Sequence, residues 1–160
     1  MAVASESNAN AGGISECFVS DFDARIVYAI GTGYPNAAGD SNTMSGAYTD
    51  IDEAANSDAD FMYTNTVGAQ ACINESNSPT GTLSVLAVKT EVRACKSSDA
   101  TATTLALGEK LSGTIYAGAY QSLETVHKTY EKMRYTNQNS GIAYTKTDID
   151  NRQLVLTAGA

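Results

Sequence analysis

The chain has 160 residues, 42% of them hydrophobic, and a formal net charge of −8. Its length matches one domain and suffices for a real core, since a chain near 150 residues buries roughly 70% of its unfolded surface. The negative balance, with no cluster of Lys and Arg, argues against nucleic acid as a partner and against electrostatic docking on anionic lipid.

The charge is unevenly distributed. From Met1 to Val88 eleven acidic residues face one basic residue, Arg25, whereas from Lys89 to Ala160 nine basic residues face seven acidic ones. The halves are complementary, within one fold or head to tail between subunits. Much of the apolar content is alanine, Ser, Thr, Asn and Gly are abundant, and Trp is absent. Either a limited set of Leu, Ile, Val, Tyr and Phe builds the core, or part of the apolar surface is buried against another copy or another protein. No apolar stretch approaches the ~18 residues of a membrane span, and the amino terminus has neither the basic nor the apolar region of a signal peptide, so no self-targeting is expected.

Residues 1–13 are mostly Ala, Ser, Asn and Gly without periodicity and are expected to form a flexible arm, followed by a single domain over 14–160. From Phe18 to Ile30 strict alternation predicts one half-buried strand, with Phe18, Phe22, Ala24, Ile26, Tyr28 and Ile30 on one face and Asp21, Asp23 and Arg25 on the other. Gly31, Gly33 and Pro35 end it, and a polar loop is expected through Ser45. Thr49 followed by Asp50, Asp52 and Glu53 predicts a short helix, with Ile51, Ala55, Asp58 and Met62 on an imperfect stripe. A turn over Asn74–Gly81 leads to a second strand over Thr82–Ala94, and Lys96–Thr103 reads as a polar loop.

Leu107, Leu111, Ile115, Ala119, Leu123, Val126, Tyr130 and Met133 fit helical spacing, and Glu124 to Lys128 is a favourable i,i+4 pair. Gly108, Gly113 and Gly118 weaken the first half, where the same residues also fit alternation, so the helix is expected over about Tyr120–Tyr135. Gly141–Thr147 and Arg152–Thr157 predict a closing hairpin turned by Asp148–Asn151.

No local pattern announces catalysis. Gly31-Thr32-Gly33 has too few glycines for a phosphate cradle and reads as a turn. His127 is the only histidine, so any triad would run through it, but beside Lys128 it reads as a solvated helix residue. Asp50, Asp52, Glu53, Asp58 and Asp60 are the densest oxygen ligands for Ca²⁺ or Mg²⁺, yet they lack the EF-hand order. Asp21 and Asp23 resemble a carboxylate pair but also suit the solvent face of a strand. Cys17, Cys72 and Cys95 are widely spaced, with no C-x-x-C and only His127 to accompany them, a poor zinc set, and read as buried thiols, or as one disulfide with a spare. The nine tyrosines suit interfaces or an ordinary core and surface.

Together these readings predict an α+β fold: an antiparallel sheet of four or more strands with one long helix, about 120–135, packed against it. They predict no catalytic, cofactor-binding or metal-binding residues and no cofactor. The expected function is a non-enzymatic, self-assembling structural subunit such as a coat, cement or tail component of a virion. Its partners would be further copies or a structural lattice protein. The alternative is a monomeric extracellular or surface binding module that uses Ca²⁺ at the acidic cluster.

Overall fold

The computed structural model describes residues 3–6, 15–21, 24–30, 33–52, 59–78 and 85–160. The chain divides into two compact units, Met1–Gly33 with Ser78–Thr80, and Tyr34–Asn77 with Gly81–Ala160.

The first unit is a three-stranded antiparallel sheet in the order β1-β2-β3, formed by β1 (Val3–Glu6), β2 (Ser15–Asp21) and β3 (Ala24–Ile30). Part of the expected arm, 3–6, is thus β1, and 7–13 lie outside the described residues. The single strand expected from Phe18 to Ile30 is two strands, paired from Ser15 opposite Ile30 to Asp21 opposite Ala24. Two residues separate them, and an even interruption leaves the alternation of apolar and polar positions in step, so periodicity alone does not register the reversal.

The second unit is built on a six-stranded sheet in the order β4-β5-β11-β7-β8, with β9 also pairing β7. Its strands are β4 (Pro35–Asn42), β5 (Gln70–Glu75), β7 (Thr104–Leu111), β8 (Thr114–Tyr116), β9 (Tyr120–Ser122) and β11 (Gln153–Gly159). A separate antiparallel ribbon pairs β6 (Val88–Ala94) with β10 (Lys128–Arg134). The remaining regular pieces are a 3-10 turn at Tyr48–Asp50 and a five-residue helix, α1 (Lys146–Asp150).

The fold is therefore mostly antiparallel β, which corrects the α+β expectation: among the described residues no long helix packs on the sheet. Where the helix of 120–135 was expected stand β9, a short connection and β10. Gly108, Gly113 and Gly118 disfavour helix, and Thr125, Val126, Thr129 and Tyr130 favour extended backbone. The i,i+4 stripe from Leu107 to Leu123 is also every second position of an alternating series, and Leu107 and Leu111 point to the core from β7.

Three further expectations change. The polar loop through Ser45 contains β4, an edge strand whose pairing with β5 is irregular on both sides of Ala37–Ala38. Gly39 permits this path because a Cβ there would lie 2.5 Å from the Cys72 carbonyl oxygen, and Pro35 is tolerated as the first residue of an edge strand. The closing hairpin is absent: β11 runs between β5 and β7, while 145–150 carry the cap and body of α1. Of the helix expected after Thr49, the described residues show the 3-10 turn, where the Asp50 carboxylate accepts from the Ala47 N–H at 2.8 Å; residues 53–58 lie outside the described residues. Of the strand expected over Thr82–Ala94, β6 covers Val88–Ala94, 85–87 are irregular and 82–84 lie outside the described residues; Lys96–Thr103 joins β6 to β7 without regular structure.

The register sorts the side chains. Leu154 stands opposite Ile73 and Glu109, and Leu156 opposite Ala71 and Leu107, so these residues share one face. Ala71, Ile73, Leu105, Leu107, Leu154 and Leu156 pack there with Tyr130 of β10, and Val92 and Ala94 of β6 close the same cluster. Val88, Leu111 and Tyr144 form a smaller cluster against Val85, Tyr116 and Ile149.

Candidate functional site

The principal constellation of ionisable groups lies inside this fold. Glu109 occupies a core-facing position of β7 between Leu107 and Leu111 and has no exposed surface. The Tyr144 hydroxyl donates to its carboxylate, 2.7 and 2.8 Å from the two oxygens. Arg134 Nε stands 3.6 Å from Oε1 and Arg152 Nη1 4.0 Å from Oε2, so two cations flank the anion without direct hydrogen bonds. Arg134 donates instead to the Leu107 carbonyl at 2.6 Å, and Arg152 to Glu75 Oε2 at 2.5 Å.

Two carboxylates thus balance two guanidinium groups, which suits a low-dielectric interior where an isolated charge would cost several kcal/mol. Burial, followed by the bond to Glu109, pushes the Tyr144 phenol well above its ordinary pKa, so it remains a neutral donor. The network ties β5, β7, β10, the residue before β11 and the segment before α1 to one point. Arg134 Nη1 and Arg152 Nε remain buried without a hydrogen-bond partner. Because Glu109 is sealed, it contacts no substrate in this conformation; the arrangement positions strands.

A second polar group lies on the opposite face. The Asp40 carboxylate accepts from Lys110 Nζ at 2.6 Å and from Gln153 Nε2 at 2.9 Å, which draws β4 toward β11 and β7. These bonds, that from Lys110 first, hold the Asp40 carboxyl below its ordinary range. Cys72 is buried beneath Gly39, and desolvation raises its thiol. At the end of the sheet an open polar groove of about 450 Å³ is lined by Asn36, Asn74, Asn77, Asp150, Asn151 and Gln153 together with Glu75 and Arg152 of the network.

Among the described residues, those singled out from the sequence do not assemble. Asp50 is used locally as a cap, Asp52 and Asp60 are exposed, and Glu53 and Asp58 lie outside the described residues. Among the described residues no three His, Cys, Asp or Glu side chains gather as metal ligands. His127 is half-buried in the connection before β10, not on a helix. Asp21 ends β2, while Asp23, Gly31 and Thr32 lie outside the described residues. Cys72 and Cys95 are free thiols, the first buried and the second half-buried.

Sequence reasoning missed Glu109, Arg134, Tyr144 and Arg152. A glutamate in step with Leu105, Leu107 and Leu111 is the signal, but it becomes visible only once 104–111 is read as a strand. No protein-family model, no curated protein and no solved structure matches this chain.

Proposed function

We propose that this protein is a non-enzymatic structural subunit that assembles with further copies of itself or with a structural lattice protein, as a coat, cement or tail component of a virion. The observation that carries the reading is the distribution of side chains: Glu109, Arg134 and Tyr144 of the main ionisable cluster are buried in the fold, while large apolar groups stand outside it. Leu86, Met133, Tyr135 and Ile142 are 59%, 45%, 68% and 65% exposed. They gather at one end of the β6/β10 ribbon, where Val88 pairs with Arg134 and the Asn137 N–H bonds to the Ile142 carbonyl. Phe61 and Tyr63 are a second exposed pair, their rings edge to face with centroids 6.1 Å apart. Apolar clusters of this kind are what subunit contacts bury. The net charge of −8 is the wrong sign for lining a nucleic acid, which favours an outer or accessory place in a particle.

Light scattering coupled to size exclusion, at low and high salt, tests the proposal. A defined oligomer or larger assembly is the expected result. A 16.7 kDa monomer at every concentration and salt would remove self-assembly.

A further inference from the structure

The polar groove at the end of the six-stranded sheet is walled by three segments of the second unit. These are Asn36 and Ala37 in β4, Asn74, Glu75 and Asn77 in and just after β5, and the run from the end of α1 to the start of β11. Its volume of about 450 Å³ lies in the range of small-molecule sites, about 300–1,000 Å³. The wall is held from behind: buried Arg152 bonds through Nη2 to Glu75 Oε2, and its Nη1 stands 4.0 Å from Glu109 in the interior network. Groups locked by such a second set of contacts are preorganised to meet a ligand.

Charge narrows the ligand class. Glu75 is paired with Arg152, and Asp150 with Lys146, whose Nζ lies 2.5 Å from Oδ2. An anion therefore finds no uncommitted cation in the wall, and a metal ion would have to compete with Arg152 and Lys146 for both carboxylates. Ala37 is the apolar residue of the wall, so a hydrophobic molecule has little to bury against.

The wall offers instead a mixed capacity for hydrogen bonds. Asn74 Nδ2 donates to the Ala38 carbonyl at 2.9 Å and Asn151 Nδ2 to the Thr147 carbonyl at 3.0 Å, which orients both amides and keeps their Oδ1 atoms as acceptors. Asn36 and Asn77 are exposed, each with two N–H donors and one acceptor. An amide sets a donor and an acceptor side by side, and adjacent hydroxyls of a sugar ring match that pair because every hydroxyl both donates and accepts.

We propose that this groove binds a neutral polyhydroxyl ligand, a saccharide, through the amides of Asn36, Asn74, Asn77 and Asn151 beside the Glu75–Arg152 pair. This function is additional to self-assembly and does not depend on it.

Saturation-transfer difference NMR on the full chain tests it, with glucose, galactose, mannose and N-acetylglucosamine as neutral probes and galacturonate and glucosamine as charged counterparts. The signal is read on the sugar's own protons, so monomer and assembly report alike and a failure here is separate from a failure of self-assembly. At least one neutral sugar should bind with a dissociation constant of about 1 mM, and the charged sugars about fivefold more weakly. Asn36→Ala and Asn77→Ala truncate exposed side chains, so the melting temperature should hold, while each weakens the sugar about fivefold, the scale of one lost hydrogen bond. Silence from every neutral sugar up to about 100 mM overturns the proposal. Binding that both variants leave unchanged overturns it as well, and so does a charged sugar that binds more tightly than its neutral counterpart.

Discussion

A carboxylate with no exposed surface survives only where cations and donors offset its lost hydration, and at Glu109 these come from three separate segments. Removing the anion leaves Arg134 and Arg152 facing each other in a dry interior. Glu109→Ala is therefore expected to destabilise the fold by about 3–5 kcal/mol, the scale of breaking a buried ion pair. Tyr144→Phe removes one donor and should cost about 1–3 kcal/mol. Urea unfolding followed by circular dichroism reads both, and a Glu109→Ala variant as stable as the parent would refute the network. None of this was legible while the residues before the helix expected at 120–135 fitted helical spacing as well as alternation, because helical spacing takes Leu107 and Leu111 as one stripe and leaves Glu109 off it.

At the scale of elements, the turn between β7 and β8 decides the first half of the helical stripe in favour of strand. Leu111 pairs with Thr114, leaving Ser112 and Gly113 as the two turn residues, with φ of 49° and 83°. Positive φ at both central positions is the tight hairpin turn that matches strand twist, and it reverses the chain inside the supposed helical stripe. Gly113→Ala places a Cβ on a backbone at φ 83° and should cost about 1 kcal/mol or more, although nothing lies within 4 Å of the new atom. Ser112→Asn should leave stability unchanged or raise it, since Asn tolerates that conformation better. Thermal denaturation of the two variants separates backbone strain from steric contact: equal midpoints for Gly113→Ala and the parent would contradict the turn. After Tyr116 the chain returns along β7 only because Gly118 carries no side chain, since a Cβ there would sit 2.2 Å from the Leu107 carbonyl oxygen.

Over the whole molecule the titrating groups act from both ends of the pH scale. The fold favours the neutral Tyr144 phenol, so its contribution is complete below the ordinary tyrosine pKa of about 10 and is lost as pH rises above that value toward the higher folded one. Asp40 and Asp148 are held below their ordinary range, Asp40 by the Lys110 bond first and Asp148 first by the Thr145 N–H that its carboxylate accepts at the start of α1. Their contributions are complete above about pH 4 and are lost as pH falls through the lower folded values. Melting temperature against pH should therefore form a plateau that declines at both ends. In Tyr144→Phe the alkaline decline should be shallower, and an unchanged alkaline limb would remove the phenol from the account.

The sequence by itself determined the local, periodic features of this protein: the alternation that becomes β2, β3 and β6, the loop over 96–103, and an acidic surface poor in Lys and Arg clusters. These follow from composition and from the period of neighbouring residues, which a single segment carries within itself. The tertiary structure alone decided that a polar stretch becomes edge strand β4, that the last strand enters the middle of the sheet between β5 and β7, and that Glu109 meets cations from β10 and from the residue before β11. Those outcomes depend on hydrogen-bonding partners and countercharges far away in the chain: Asp40 meets Gln153 across 113 residues and Arg152 meets Glu75 across 77. Backbone groups and buried charges are satisfied by whatever the whole fold brings alongside them, so no window of sequence contains the information that places them.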